Sequence, residues 1–380
     1  MKVVVVCDVL GEENNGTTIA AMNLIRSLKA KEHEVRVVCP DEARKGEEGY
    51  YVVPTINFGV LNDYVKKNGV TLAKRDETTL REALEGMDVM HIITPFFLSI
   101  KAISIAREMG IPITAGFHCQ AENFTNHIFL MNAKRINRRV YKIFYHYVYR
   151  YVDCIHFPTQ FICDVFLNVI GKPLEHRVIS NGVNKSFVHR DVEKPDALKD
   201  RFVILFTGRY SKEKSHKVLI DGVKKSKYAD KIQLIFAGSG PQKEALQKYA
   251  QQNLKNQPIF SFYSREEMID VINYSDLYVH PAEIEIEAIS CLEAISCGLV
   301  PVISNSKRSA TRFFALDNRN HFRCNDSRNL AAKIDYWITH PKEKAECSEN
   351  YCDYAKQFDF DLCMNKMEQM LKDVIDAKRK

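Results

Sequence analysis

Glu285 and Glu293 stand eight residues apart, after the strand-like run Ser275-Asp-Leu-Tyr-Val-His-Pro281, at the mouth of a helix-forming stretch that stops at Gly298. Eight residues make slightly more than two turns, so two helical carboxylates at that spacing would share a face about 12 Å apart along the axis. Glu285 is expected in the loop before the helix, close to its N-terminus. One carboxylate then holds hydroxyls of a sugar and the other those of a ribose, with the helix N-terminus between them facing phosphate. Such a set of groups suits a nucleotide sugar.

A diphosphate also needs cations. Arg209 follows the strand-like Phe202-Val-Ile-Leu-Phe206, and Lys214 lies five residues further on. Both can converge on one phosphate pair, arginine as a planar fork and lysine as a point charge. The plainer reading makes them ordinary loop cations within Lys212-Glu-Lys-Ser-His-Lys217; the glutamates downstream favour the phosphate reading. Leu292, Ala294 and Ile295 around Glu293 predict partial burial, where an unpaired carboxylate is costly and a ligand role is favoured. Gly238-Ser-Gly240 is a small turn after a strand and brings backbone close to a ligand. His118 ends the run Ile113 to Phe117. A histidine there serves either packing or chemistry, and Glu122 nearby favours chemistry.

The elements that carry these residues alternate between short apolar runs and helical patterns. The runs Val3 to Cys7, Glu34 to Cys39, Val89 to Thr94, Ile113 to Phe117 and Cys154 to Pro158 form one series. Phe202 to Phe206, Gln233 to Ala237, Ile259 to Phe262, Leu277 to His280 and Val300 to Ser304 form a second. Alternation of this kind predicts parallel βαβ units and an α/β class with two doubly wound sheets, whose ligands sit outside the carboxyl ends of the strands. Residues 1–183 are read as the first domain, the polar 184–200 as a linker, 201–358 as the second domain and 359–380 as a terminal helix with Leu362, Met367, Met370, Leu371 and Val374 on one side.

Size and charge set bounds. A chain of 380 residues fits two domains of ordinary size. Its eleven cysteines form no C-x-x-C pair, which predicts reduced thiols and no zinc site. The first apolar run is too short for a signal peptide and no run is long enough to span a membrane, so a cytoplasmic, soluble or peripheral protein is expected. A net charge of +6 does not indicate nucleic acid. The positive charge is nevertheless concentrated. No acidic residue occurs from Asn123 to Val152, and at helical period Ile136, Val140, Ile143, Tyr147 and Tyr151 make one face while Arg135, Arg139, Lys142, His146 and Arg150 make another. This cationic amphipathic helix is expected on an anionic membrane surface, through Arg135, Arg139, Lys142 and Arg150.

Taken in order, several of these pieces resemble a known family. Glu-x7-Glu followed by Ala294-Ile-Ser-Cys-Gly298 and the strand Leu299-Val-Pro-Val-Ile303, with Thr207-Gly-Arg209, Glu213-Lys214, Phe236-Ala-Gly-Ser-Gly240, His118 and an N-terminal strand leading to Asn14-Asn-Gly16, is similar to the retaining glycosyltransferases of family 4. The run His118-Cys-Gln-Ala-Glu-Asn-Phe-Thr125 resembles in particular the bacterial diacylglycerol glycosyltransferases. The resemblance implies the GT-B fold, two Rossmann-like domains facing across a cleft, with the terminal helix packed back on the first. It also implies a hexose donor linked to a nucleoside diphosphate, UDP being the expected one, a lipid or glycan acceptor, and no cofactor or metal. Arg209 and Lys214 would bind the diphosphate, Glu285 and His118 would meet the reacting sugar, and Gly16, Gly208, Gly238, Gly240, Glu287, Ala288, Ile289 and Glu293 would line the donor. Asp359-Phe-Asp361 has the form of a metal-holding motif but is read as charge at a helix start. Two departures stand out: the family's Glu-Gly-Phe-Gly is Glu285-Ile-Glu-Ala288 here, and Ser215 replaces the glycine that often follows the lysine. A sugar-nucleotide epimerase, a phosphorylase or a catalytically inert sugar-nucleotide adaptor at the membrane are the alternatives.

Overall fold

Runs of valine and isoleucine that are apolar on both faces can be covered only by helices on both sides of a parallel sheet, and the two sheets of this chain are built from such runs. In a computed structural model, residues 1–11, 16–57, 59, 72–126 and 130–379 are described; Asn14 and Asn15 of the turn read at Asn14 to Gly16 lie outside them. The chain divides into two units, Met1–Asn181 with Asp361–Lys380, and Gly182–Phe360.

The first unit holds β1 (Lys2–Val6), β2 (Glu34–Cys39), β3 (Tyr50–Val52), β4 (Val89–Ile92), β5 (Ile113–Gly116), β6 (Cys154–Phe157) and β7 (His176–Val178), all parallel in the order β3-β2-β1-β4-β5-β6-β7. Val3 to Val6 have no solvent exposure. The second unit holds β8 (Phe202–Thr207), β9 (Ile232–Ala237), β10 (Ile259–Ser261), β11 (Leu277–His280), β12 (Pro301–Ser304) and β13 (His321–Phe322), parallel in the order β10-β9-β8-β11-β12-β13. In each unit the winding reverses beside the first strand, between β1 and β4 and between β8 and β11. A reversal of that kind opens a crevice at the carboxyl ends of the two strands, where ligands of open α/β sheets bind.

Four features differ from the sequence reading, each for a local reason. The strands β3, β7 and β13 carry no clear apolar pattern; they have two or three residues and are recruited at sheet edges by backbone pairing. The segment 184–200 belongs to the second unit, where Phe187 and Leu198 enter the core and Lys194 Nζ meets Asp276 at 2.5 Å. On the Phe360–Arg379 helix Leu362 is exposed, and Cys363 and Met364 are buried instead. That helix is held to the first unit by Glu368, which meets Lys31 at 2.6 Å and His33 at 3.1 Å, and by Arg379 on Asp88 at 2.9 Å.

The fourth difference concerns the Lys134–Tyr147 helix. Its buried side is Asn137, Tyr141 and Phe144, so the stripe Ile136, Ile143 and Tyr147 faces solvent beside Arg135, Arg139 and Lys142. The buried polar residues earn that place by hydrogen bonding. Tyr141 donates to Glu122 at 2.7 Å and packs on Phe117 and Phe166, while Asn137 accepts from Thr125 at 2.7 Å. Among the described residues no helix is long and apolar enough to cross a membrane.

Candidate functional site

The loops that follow β8 and β9 run so close together that side chains are excluded between them. A Cβ on Gly238 would lie 2.1 Å from the Gly208 carbonyl oxygen, and one on Gly240 2.6 Å from the Tyr210 nitrogen. Tyr210 N donates to Ser239 O at 2.8 Å and Gly208 N to Ala237 O at 2.9 Å, which extends the ladder past the strand ends. The small residues read from the sequence as room for a nucleotide are therefore required first by the approach of two backbones. From this platform Arg209 and Lys214 emerge, both half-buried. Burial pulls the Arg209 guanidinium below its ordinary range, with Glu213 opposing.

Glu285 lies in the loop after β11, ahead of the Ile289–Ser296 helix. Among the contacts that hold that loop, Ala310 N donates to Glu285 O at 2.9 Å, Glu283 N donates to Glu213 O at 2.8 Å, and Arg308 pairs with the Glu283 carboxylate at 2.6 Å. Glu285 is only 8% exposed. Its Oε1 accepts from the Lys214 ammonium and faces His280 Nε2 at 3.0 Å. Burial alone would raise this carboxyl; the Lys214 charge and the His280 contact outweigh it and hold it at about 2. The fold thus joins Lys214 and Glu285.

Glu293 projects from the Ile289–Ser296 helix and is half-buried. Burial pushes its carboxyl up to about 7 against the pull of Arg265. Glu287 is buried at 4% exposure, and Ile289 opens the helix. Ala288 and Ser215, two of the positions where the family pattern has glycine, keep a left-handed backbone with φ of 62° and 53°. The geometry persists without the residue that adopts it freely, at a cost of about 1 kcal/mol each.

In the first unit His118 follows β5, half-buried, with its ring laid against the backbone: a Cβ on Gly116 would stand 2.5 Å from His118 Nε2. The His156 ring lies edge-on at 5.6 Å. Burial, with His156 and His91 adding to it, drives the His118 imidazolium well below its ordinary range and keeps the ring neutral. Gly16 is exposed at the start of the Gly16–Ala30 helix. Asp361 lies in the first turn of the terminal helix.

Sequence reasoning missed two groups. Asp8, at the end of β1, is fully buried and accepts from Leu98 N at 2.7 Å and Ser99 Oγ at 2.5 Å. Tyr278 and His280, quoted only as part of a strand, share one face of β11 by their two-residue spacing and bond onward to Thr207 and Glu285. That spacing of polar residues within an apolar buried strand was the available signal.

Residues 188–352 match the family described as Glycosyl transferases group 1, and residues 14–187 match Glycosyltransferase Family 4. The chain is 23% identical over 384 residues to an alpha-monoglucosyldiacylglycerol synthase of Acholeplasma laidlawii, covering 96% of this chain and 95% of that protein. It is 27% identical over 233 residues to a protein of the same name from Streptococcus pneumoniae, covering 58% of this chain and 52% of that protein, so the match spans about half the length of that relative. The fold is similar to the crystal structure of Anabaena HepE in complex with UDP-glucose, with a TM-score of 0.77 and 16% identity over 98% of this chain and 100% of that one.

Proposed function

Because the chain belongs to the family 4 glycosyltransferases and has the GT-B fold, we propose that it moves a hexose from a UDP-linked donor to a hydroxyl of a membrane lipid, diacylglycerol among them, with retention of configuration at the sugar. The observation that carries this reading is the buried Glu285 carboxylate, kept ionised beside Lys214 at the point where the second sheet reverses its winding. A buried anion with a cation at its side is a place for sugar hydroxyls on one hand and phosphate on the other. Arg209 and Lys214 meet the charge that grows on the diphosphate as the glycosidic bond breaks, a task for the chain's own cations with no bound metal. Glu293 accepts from ribose hydroxyls, whose hydrogen bonds favour its ionised form. His118, neutral and seated on Gly116, donates to a hydroxyl of the reacting sugar.

Two things support a lipid acceptor. Two of the relatives are named alpha-monoglucosyldiacylglycerol synthase. The Lys134–Tyr147 helix exposes Ile136, Ile143 and Tyr147 alongside Arg135, Arg139 and Lys142, with Arg150 just beyond it. An apolar stripe next to a cationic one is what an interfacial helix offers to anionic lipid, each cation contributing about 1 kcal/mol. On this reading the protein works peripherally on the inner face of the cell membrane. The test is incubation with UDP- and GDP-hexoses, with and without anionic vesicles containing diacylglycerol, in the presence of a chelator. Labelled glycolipid and nucleotide release with UDP-hexose are expected; release of epimerised sugar, dependence on inorganic phosphate, or donor binding without consumption would replace the reading.

A further inference from the structure

We infer that Thr207, Tyr278 and His280 form a directed hydrogen-bond relay that positions Glu285, so that His280 is a positioning residue for recognition of the donor sugar. The inference rests on the reading of Glu285 as the sugar-binding carboxylate. Thr207 Oγ1 and Tyr278 Oη are 2.9 Å apart, Tyr278 Oη and His280 Nδ1 3.2 Å, and His280 Nε2 and Glu285 Oε1 3.0 Å. Thr207, Tyr278 and His280 are 5%, 0% and 1% exposed, so the chain of contacts runs through the interior of the unit.

Chemistry fixes its direction. The Glu285 carboxylate is ionised and can only accept, so His280 Nε2 carries the hydrogen. Burial pushes the His280 imidazolium below its ordinary range, against the pull of Glu285, and favours a neutral ring. Nδ1 is then a lone pair, so the Tyr278 hydroxyl donates to it. The Tyr278 oxygen in turn accepts from the Thr207 hydroxyl. Every donor in the series points toward Glu285. Both recorded bonds on the carboxylate, from Lys214 and from His280, fall on Oε1. The carboxylate plane is set from that side, and Oε2 is the oxygen that meets the sugar. His280 is fixed on the central strand β11, so its bond keeps the Glu285 carboxylate oriented when the Lys214 ammonium turns to the diphosphate.

The experiment compares UDP and UDP-glucose affinities by calorimetry on the full chain, because UDP lacks the sugar that Glu285 meets. His280→Leu should weaken UDP-glucose about tenfold, the size expected for a hydrogen bond to a charged group, and leave UDP unchanged. His280→Gln, which keeps an N–H donor at similar reach, should restore most of that loss. Tyr278→Phe removes one oxygen and little packing; it should weaken UDP-glucose severalfold, and in ¹H–¹⁵N spectra of the ligand-free protein it should convert the His280 Nε2–H tautomer into a mixture. Equal changes in UDP and UDP-glucose affinity for His280→Leu, or an Nδ1–H or charged His280 in the wild-type spectra, would overturn the relay. Glu285→Gln separates the two ideas: if it leaves UDP-glucose affinity intact, the sugar-binding role of Glu285 fails, whereas a large effect there with a silent His280→Leu removes the relay alone.

Discussion

Each sheet places a buried carboxylate where its winding reverses, and the two carboxylates are held in opposite ways. Asp8, at the end of β1, is surrounded by neutral donors: two backbone amides and the Ser99 and Thr94 hydroxyls. Burial outweighs them and pushes its carboxyl up to about 6. Glu285, in the loop after β11, has a cation and a histidine, and is held at about 2. Neutral donors suffice to anchor the start of the Phe97–Glu108 helix, because an anchor works in either protonation state. A group that must stay charged in the interior needs a full opposite charge. The histidines beside the two carboxylate-bearing sites differ as well. His280 has both ring nitrogens engaged, whereas His91 Nε2 and His156 Nδ1, near His118 in the first unit, have no hydrogen-bond partner among the described residues. Polar order is arranged by bonding beside Glu285 and by steric fit around His118, while His216 Nε2, also in the second unit, has no hydrogen-bond partner among the described residues.

The sharpest way to break this contrast is Lys214→Ala. Removing one partner of a buried ion pair is expected to cost about 3 kcal/mol of stability at neutral pH, and loss of charge stabilisation at the diphosphate a further 10²- to 10³-fold in turnover. The sign with pH follows from the depressed Glu285 value: the stabilisation is present above its unfolded value near 4.5 and is lost as pH falls through about 2, so wild type and variant should converge in acid. Arg209→Ala should show a turnover loss of the same order. Denaturation at several pH values with parallel rate measurements checks both, and a Lys214→Ala protein as stable as wild type at pH 7 would contradict the buried pair.

Gly116→Ala probes the sterically set half. The new methyl would fall 2.5 Å from His118 Nε2 and 2.7 Å from its Cδ2, so the ring must leave its seat. Turnover should fall tenfold or more, at least about 1.4 kcal/mol, with UDP affinity near wild type. Unchanged turnover would show that His118 is not held there for chemistry.

Glu293→Gln tests a carboxylate of the second unit that lacks the protection given to Glu285. Its raised value means that its contribution is present below about 4.5 and lost as pH rises through about 7. The variant should therefore match wild type near pH 4 and exceed it by about 1 kcal/mol at pH 8, a modest figure because Glu293 keeps some exposure. Melting curves across that range decide it. The smallest effect is expected at Ala288 and Ser215. Replacing either with glycine relieves a left-handed residue and should add roughly 0.5 kcal/mol after the greater flexibility of the unfolded chain is counted. A loss of stability in either variant would mean that the side chain contributes more than its strain.

The central strands of both sheets, the helix that carries Glu293 and the strand-end positions of His118 and Arg209 are all legible in the sequence, because they depend on patterns a few residues long: apolar runs buried on both faces, and polar residues where those runs stop. Edge strands such as His176–Val178 are not legible, since their pairing is a property of the neighbour and not of their own side chains. The Lys134–Tyr147 helix shows the same limit. Its period is plain in the sequence, yet the buried side was decided by Phe117, Phe166 and Glu122, which offer Tyr141 a stacked ring and an acceptor that a row of isoleucines could not use. Lys214 and Glu285 are 71 residues apart, and Thr207 and Tyr278 also 71. Their chemical types are written in the chain, but a charge state and a hydrogen-bond direction depend on distance and on exclusion of water, and both come into existence only when β8 and β11 lie side by side.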